Sequence, residues 1–176
     1  LSPEAFASLS PTQLANLSGG AITGLTSDQV AALSTAQIDS LTISQIKAMT
    51  AAQTAGLGAD DIATFSTAEI AALGNKAIPG LSDAAFAALS SQQIGALSAQ
   101  AISGLTTDQI DRLSSAQLSA LSTGQIISLS SAQLSALEPA DMAAFSTAAI
   151  AAISNRAIAG LSEAAIAALS TAQIAA

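Results

Sequence analysis

Apolar and polar positions recur along the chain with a period of eight. The stretch Leu113 to Ala136 shows it most plainly, reading LSSAQLSA LSTGQIIS LSSAQLSA. Counted from Leu1, all 176 residues divide into 22 such octads with no insertion or deletion. Position one is Leu in 18 octads, and its exceptions Met49, Phe65, Phe145 and Ile153 are also large and apolar. Position six is Ile, Leu, Val, Met or Phe everywhere except Thr54, so both positions belong to a core. Position eight is mostly Ala, Gly or Ser, which suits a close approach of backbones.

The polar positions predict where helices start. Position two is Ser or Thr in 19 octads, and position five is Gln, Glu or Asp in 14. A Ser at the N-cap accepts from a free N–H at the helix start, and a Gln or Glu at N3 reaches back to the cap's own N–H. Ser114 and Gln117 are such a pair. Position one then falls at N′ and position six at N4, the two ends of a hydrophobic staple, as for Leu113 with Leu118 and Leu121 with Ile126.

Prolines and acids agree with this placement independently. Pro3, Pro11 and Pro139 occupy position three, which is N1, where no N–H is needed. Nine of the twelve acids (Glu4, Asp28, Asp60, Asp61, Glu69, Asp83, Asp108, Asp141 and Glu163) occupy positions three to five, the first turn, where the helix dipole favours negative charge. Lys47 and Arg112 lie near octad ends as the dipole prefers, whereas Lys76 and Arg156 lie in the first turn, against it.

A continuous helix is excluded, because eight residues turn through roughly 800° and no face would stay apolar. Strands fit poorly, since positions one and six would point to opposite faces of units rich in Ala and Gln. The pattern therefore predicts an all-α, single-start solenoid of 22 eight-residue repeats forming very short capped helices, with a β-solenoid as the alternative. Helices of about six residues are far below the ~12–15 needed for marginal stability alone. Stability must come from stacking.

A longer repeat overlies the octads. Residues 1–80 answer 81–160, with LTSDQVAA at 25 matching LTTDQIDR at 105, and LGNKAIPG at 73 matching ISNRAIAG at 153. Residues 161–176 begin a third copy, and residues 1–176 read as one continuous domain. Octads eight and ten deviate and are expected to be corners or places of altered curvature. Their helices should be the shortest, since Gly58 and Gly74 replace the cap and Pro79 sits late. Octads ending in Gly24, Gly56, Gly80, Gly104 and Gly160 suggest a coil of about 3.3 octads per turn if those glycines share one crowded face.

Composition narrows the function. The net charge is −8 with four cations, which leaves no basic stripe for nucleic acid or an anionic membrane. The longest apolar runs, such as Ala84 to Leu89, are six residues, against the ~20 of a membrane span. Cysteine and histidine are absent, so thiolate chemistry and a serine nucleophile with its usual base are excluded. Asp60 with Asp61 is the nearest approach to a paired carboxylate, but no further oxygens converge for a cation, and first-turn acids are the better reading. Gly19 and Gly20 lack the Lys and strand context of a phosphate-binding turn. Phe6, Phe65, Phe86 and Phe145 read as larger core fillers. No catalytic, cofactor-binding or metal residues are assigned, no cofactor is expected, and an enzyme is not expected.

The run of L-S-x-x-Q-I-x-A units resembles the octapeptide-repeat regions of very large secreted or surface, adhesin-like proteins of proteobacteria. That resemblance covers the whole chain and is compositional. It implies an acidic extracellular or cell-surface rod that holds other domains away from a cell, and it carries no functional residues across. The expected role is a structural spacer or fibre segment. A binding scaffold for protein, peptide or glycan is the alternative, although positions three, four and seven are mostly Ala, Ser, Thr and Asp without an aromatic anchor. An ice- or mineral-facing surface of Ser and Thr rows is a third class. The chain opens in register on Leu1 without a signal peptide and reads as a piece of something longer. Neither terminal octad gains charge, so the expected partners are neighbouring repeats and end-to-end copies of the chain.

Overall fold

The computed structural model describes residues 2–176; the staple position at Leu1 lies outside them. Each octad forms one helix, from Pro3–Ala7 to Thr171–Ile174, giving nineteen α-helices and three 3-10 helices among the described residues. No strand occurs among them, so the β-solenoid alternative is set aside.

Two successive extended residues break each helix. Leu97 (φ −56°, ψ 138°) and Ser98 (φ −65°, ψ 153°) are such a pair, at positions one and two. No described residue has positive φ, so the chain turns without a left-handed glycine. The cap restarts the helix: the Gln117 N–H donates to Ser114 Oγ at 3.3 Å, and the Ser114 N–H to Gln117 Oε1 at 2.8 Å. At Glu4, hydrogen bonds to its own backbone N–H and then to the Ser2 hydroxyl hold the exposed carboxyl below the usual carboxylate range.

The expectation for Gly58 is corrected. Its helix, Ala59–Thr64, has six residues and is among the longest, because Asp61 Oδ2 accepts the Gly58 N–H at 2.9 Å and supplies half of the capping box. Octad ten does shorten, to a 3-10 turn at Ile78–Gly80, and its counterpart shortens likewise at Ile158–Gly160. Pro79 is not the cause, since Ala159 stands in its place in the second copy and Ser154 there still accepts from the Ala157 N–H at 3.2 Å. What the two octads share is Asn at position three and a glycine at position eight pressed onto the turn before.

Positions one and six form one continuous core, including Phe6, Phe65, Phe86 and Phe145. Thr54, the polar exception at position six, is fully buried, and its hydroxyl donates to the Ala77 carbonyl at 2.6 Å. Helices pack on those three octads before and after, as octad three on six and six on nine. The stack is polar end to end. Position five faces the preceding turn, and position six faces the following one. In the last octads Ile158, Ile166 and Ile174 are therefore 49%, 46% and 67% exposed, whereas Phe6, Leu14 and Ile22 at the other end are buried.

Candidate functional site: a glutamine seam, a glycine contact and a cation-edged groove

A helix that stops every eight residues leaves carbonyls without partners, and a buried carbonyl without a donor costs free energy. Position six carbonyls accept the next position one N–H, as Leu14 accepts from Leu17 at 3.0 Å. Position one carbonyls receive no described backbone N–H. Glutamine amides of the next turn fill that role. Gln45 Nε2 donates to the Leu17 carbonyl at 2.8 Å and the Leu14 carbonyl at 2.7 Å, while its Oε1 accepts the Thr42 N–H at 2.7 Å. Gln93, Gln125, Gln133 and Gln173 repeat this, reaching carbonyls 28 and 31 residues earlier. All five are buried.

One side chain thus caps its own helix and ties it to the turn below. The two acceptors flank one break in the chain, position one of the third octad before the donor and position six of the fourth, so the seam ties each helix to the start of the octad it packs on. At positions 61, 69 and 141 an acid keeps the capping role but has no N–H to donate, and these residues are only half-buried.

The glycines at position eight answer a second constraint. A Cβ built on Gly104 would stand 2.6 Å from the Asn75 carbonyl oxygen and 2.7 Å from its Cα. One on Gly56 would meet Ser27, one on Gly80 would meet Ala51, and one on Gly160 would meet Ser131, in each case the backbone of position three, 29 residues earlier. Gly24 meets only its own helix, because it lies in the first turn. At Ser40, also position eight, the same neighbour is reached by a hydrogen bond, Ser40 Oγ to the Pro11 carbonyl at 3.2 Å.

A concavity of about 710 Å³ opens between octads six, seven, nine, ten and thirteen. Ala48, Ala71, Met49 and Leu73 floor it, and Lys47 and Lys76 edge it. The residues weighed as chemistry do not converge on it. Asp61 is occupied by the Gly58 cap and Asp60 is exposed. Gly19 packs against Ala48, and the position-two serines serve as caps, as at Ser10, Ser18 and Ser34. Among the described residues no three of the acids stand close enough to hold a metal ion. No described helix is long and apolar enough to cross a membrane.

Sequence reasoning assigned the glutamines to capping and missed their second bond. The signal was present: a capping box accepts Glu as readily as Gln, yet position five holds eleven Gln and one Glu. Only an amide can accept from its own cap and donate to the turn below. The ALTTAQ repeat family model matches residues 4–43, 62–99, 94–123 and 113–147, more than half of the chain. No curated protein matches it.

Proposed function

Since the chain belongs to the ALTTAQ repeat family, we propose that this repeat protein is a non-enzymatic structural spacer or fibre segment of an extracellular or cell-surface protein. The observation that carries the reading is the seam, which recurs from the Gln37 contacts with the Ala7 and Leu9 carbonyls to the Gln173 contacts with the Met142 and Phe145 carbonyls. Such a stack sets a length. About seven turns at the ~8–10 Å spacing of packed helices give a rod of roughly 60 Å. The absence of cysteine and the acidic, Ser- and Ala-rich composition suit an extracellular setting.

Removing residues 81–160 tests this reading, because the cut falls between equivalent octads and leaves the register intact. Small-angle scattering should show the long dimension shortened by about half at unchanged cross-section, as repeat arrays behave. A particle that keeps its long dimension, or loses its helical signal, speaks against a spacer. The partners in this reading are neighbouring repeats and further copies end to end, the exposed Ile158, Ile166 and Ile174 meeting the position-five face of a first turn, where Gln13 is exposed. Being apolar and amide-based, that contact should persist in high salt.

A further inference from the structure

The groove between octads six, seven, nine, ten and thirteen gathers two of the four cations of a chain with net charge −8. No acid lines it, and Lys47 and Lys76 are both exposed. The single ion pair among the described residues is elsewhere, Arg112 with Asp83 at 2.8 Å. Ile43 at the groove lip is 52% exposed, an apolar side chain without cover beside two ammonium groups without counter-charges. Lys76 lies in the turn that leads into the 3-10 helix Ile78–Gly80. The capping and packing that explain the other positions do not explain this one.

Half of the acids collect on a different part of the molecule. Asp39, Asp60, Asp61, Asp83, Asp108 and Asp111 belong to octads five, eight, eleven and fourteen. Those octads are successive members of one stack: five packs on eight, eight on eleven, and the Arg112–Asp83 pair links eleven to fourteen. All but the half-buried Asp61 are exposed, with Ala63, Ala84 and Ala87 exposed among them. An acidic ridge studded with methyl groups is thus carried by the same chain as a cationic groove floored with methyl groups.

We infer that the groove is a lateral docking site for a second copy of this chain, whose acidic ridge it receives through Lys47 and Lys76 with Ile43 and the alanine floor beneath. The two patches differ, so the contact is heterologous and does not close on itself; it propagates from rod to rod. One such site exists per chain, because the counterparts of Lys47 and Lys76 in the second super-repeat are Ile127 and Arg156, and Ile127 is 58% exposed with no cation in its place. Exposed ion pairs are individually weak, so the contact serves rods already held side by side and is screened by salt. This sets it apart from the end contact, which is apolar.

Sedimentation of the intact 176-residue chain across a concentration series, in low salt and in about 0.5 M salt, reads the inference out. Average mass should rise with concentration in low salt and fall in high salt to whatever the ends alone sustain. Lys47→Glu with Lys76→Glu should remove the salt-dependent part, weakening association about tenfold, the scale of two exposed pairs. Arg156→Glu, outside the groove, should leave that part intact. Both lysines are exposed, so the circular dichroism spectrum should not change; if the double variant unfolds, Lys47→Gln with Lys76→Gln is measured instead. The partner is identified by charge exchange: a chain carrying Asp60→Lys and Asp108→Lys should fail to associate laterally with itself and should associate with the Lys47→Glu, Lys76→Glu chain. Salt-independent association, association indifferent to the lysine changes, a monomer in low salt, or failure of the exchanged pair would each overturn the lateral site. Of these, only a monomer in low salt would count against the end contact as well.

Discussion

Gln125→Glu should destabilise the chain by about 3 kcal/mol or more at neutral pH, the cost of leaving a buried charge without a partner, although it changes neither size nor shape. The carboxylate keeps the capping role, accepting from the Ser122 N–H as Gln125 Oε1 does at 2.7 Å. Its other oxygen then confronts the Ile94 carbonyl, where Nε2 lies at 3.0 Å, and the Leu97 carbonyl at 2.7 Å. Three acceptors meet without a proton. Gln125→Ala removes the donor without adding charge, and about 1–3 kcal/mol is expected. Ser114→Ala, which removes one cap, should cost about 1 kcal/mol. If Gln125 acted only as a cap, Glu would be neutral and Ala the worse change. Urea unfolding of the three variants ranks them.

The same variant has a pH signature. Burial against carbonyls raises the carboxyl's folded pKa above its unfolded value of about 4.3. Below the unfolded pKa both states are protonated, the acid can donate to a carbonyl, and the penalty is small. As pH climbs past the unfolded pKa the unfolded chain ionises first, so the penalty grows and levels off above the folded pKa. The gap between wild type and Gln125→Glu should therefore narrow in acid.

Gly80→Ala is the second large effect. The added methyl meets the Ala51 carbonyl and Cα, and stands 2.5 Å from Thr54 Oγ1. Backbone cannot rotate away as a side chain can, so the turns must part. The Thr54 to Ala77 hydrogen bond lies beside the same contact and would be strained with it. About 3 kcal/mol is expected, the upper end of overpacking. Gly74→Ala is the control, since a Cβ there meets nothing within 4 Å; it should be neutral or stabilise by up to about 1 kcal/mol by restricting the unfolded chain. Thermal unfolding of the pair separates crowding from the general effect of removing a glycine. Equal midpoints would mean that position eight is not a contact between turns.

How much of this was legible follows from the range of each interaction. Capping, staple and core are written within eight residues, and Ser114, Gln117, Leu113 and Leu118 declare them directly. Small residues at position eight gave the close approach, although not its target. The seam lies at offsets of 28 and 31 residues, neither a multiple of eight, so it follows from the pitch of the coil. Nothing in a single octad states that pitch. Gly58 misled because a missing cap side chain was weighed without the Asp61 carboxylate opposite. The groove needed five octads brought together, and only Lys76, at a first-turn position of the repeat where a cation does not belong, hinted at it.

The coil itself is tested most directly by an engineered cross-link, in a chain whose lack of cysteine makes the pairing unambiguous. A Cβ on Gly19 would lie 3.2 Å from the Ala48 Cβ, position three beneath position eight 29 residues on, close to the ~3.5–4.5 Å of a disulfide. Gly19→Cys with Ala48→Cys should oxidise quantitatively and raise the unfolding temperature. Gly24→Cys with Ala48→Cys, three whole octads apart, should stay reduced. Ready closure of the second pair with failure of the first would mean that position eight does not lie on position three of the turn before, and the glycine contact described here would be wrong.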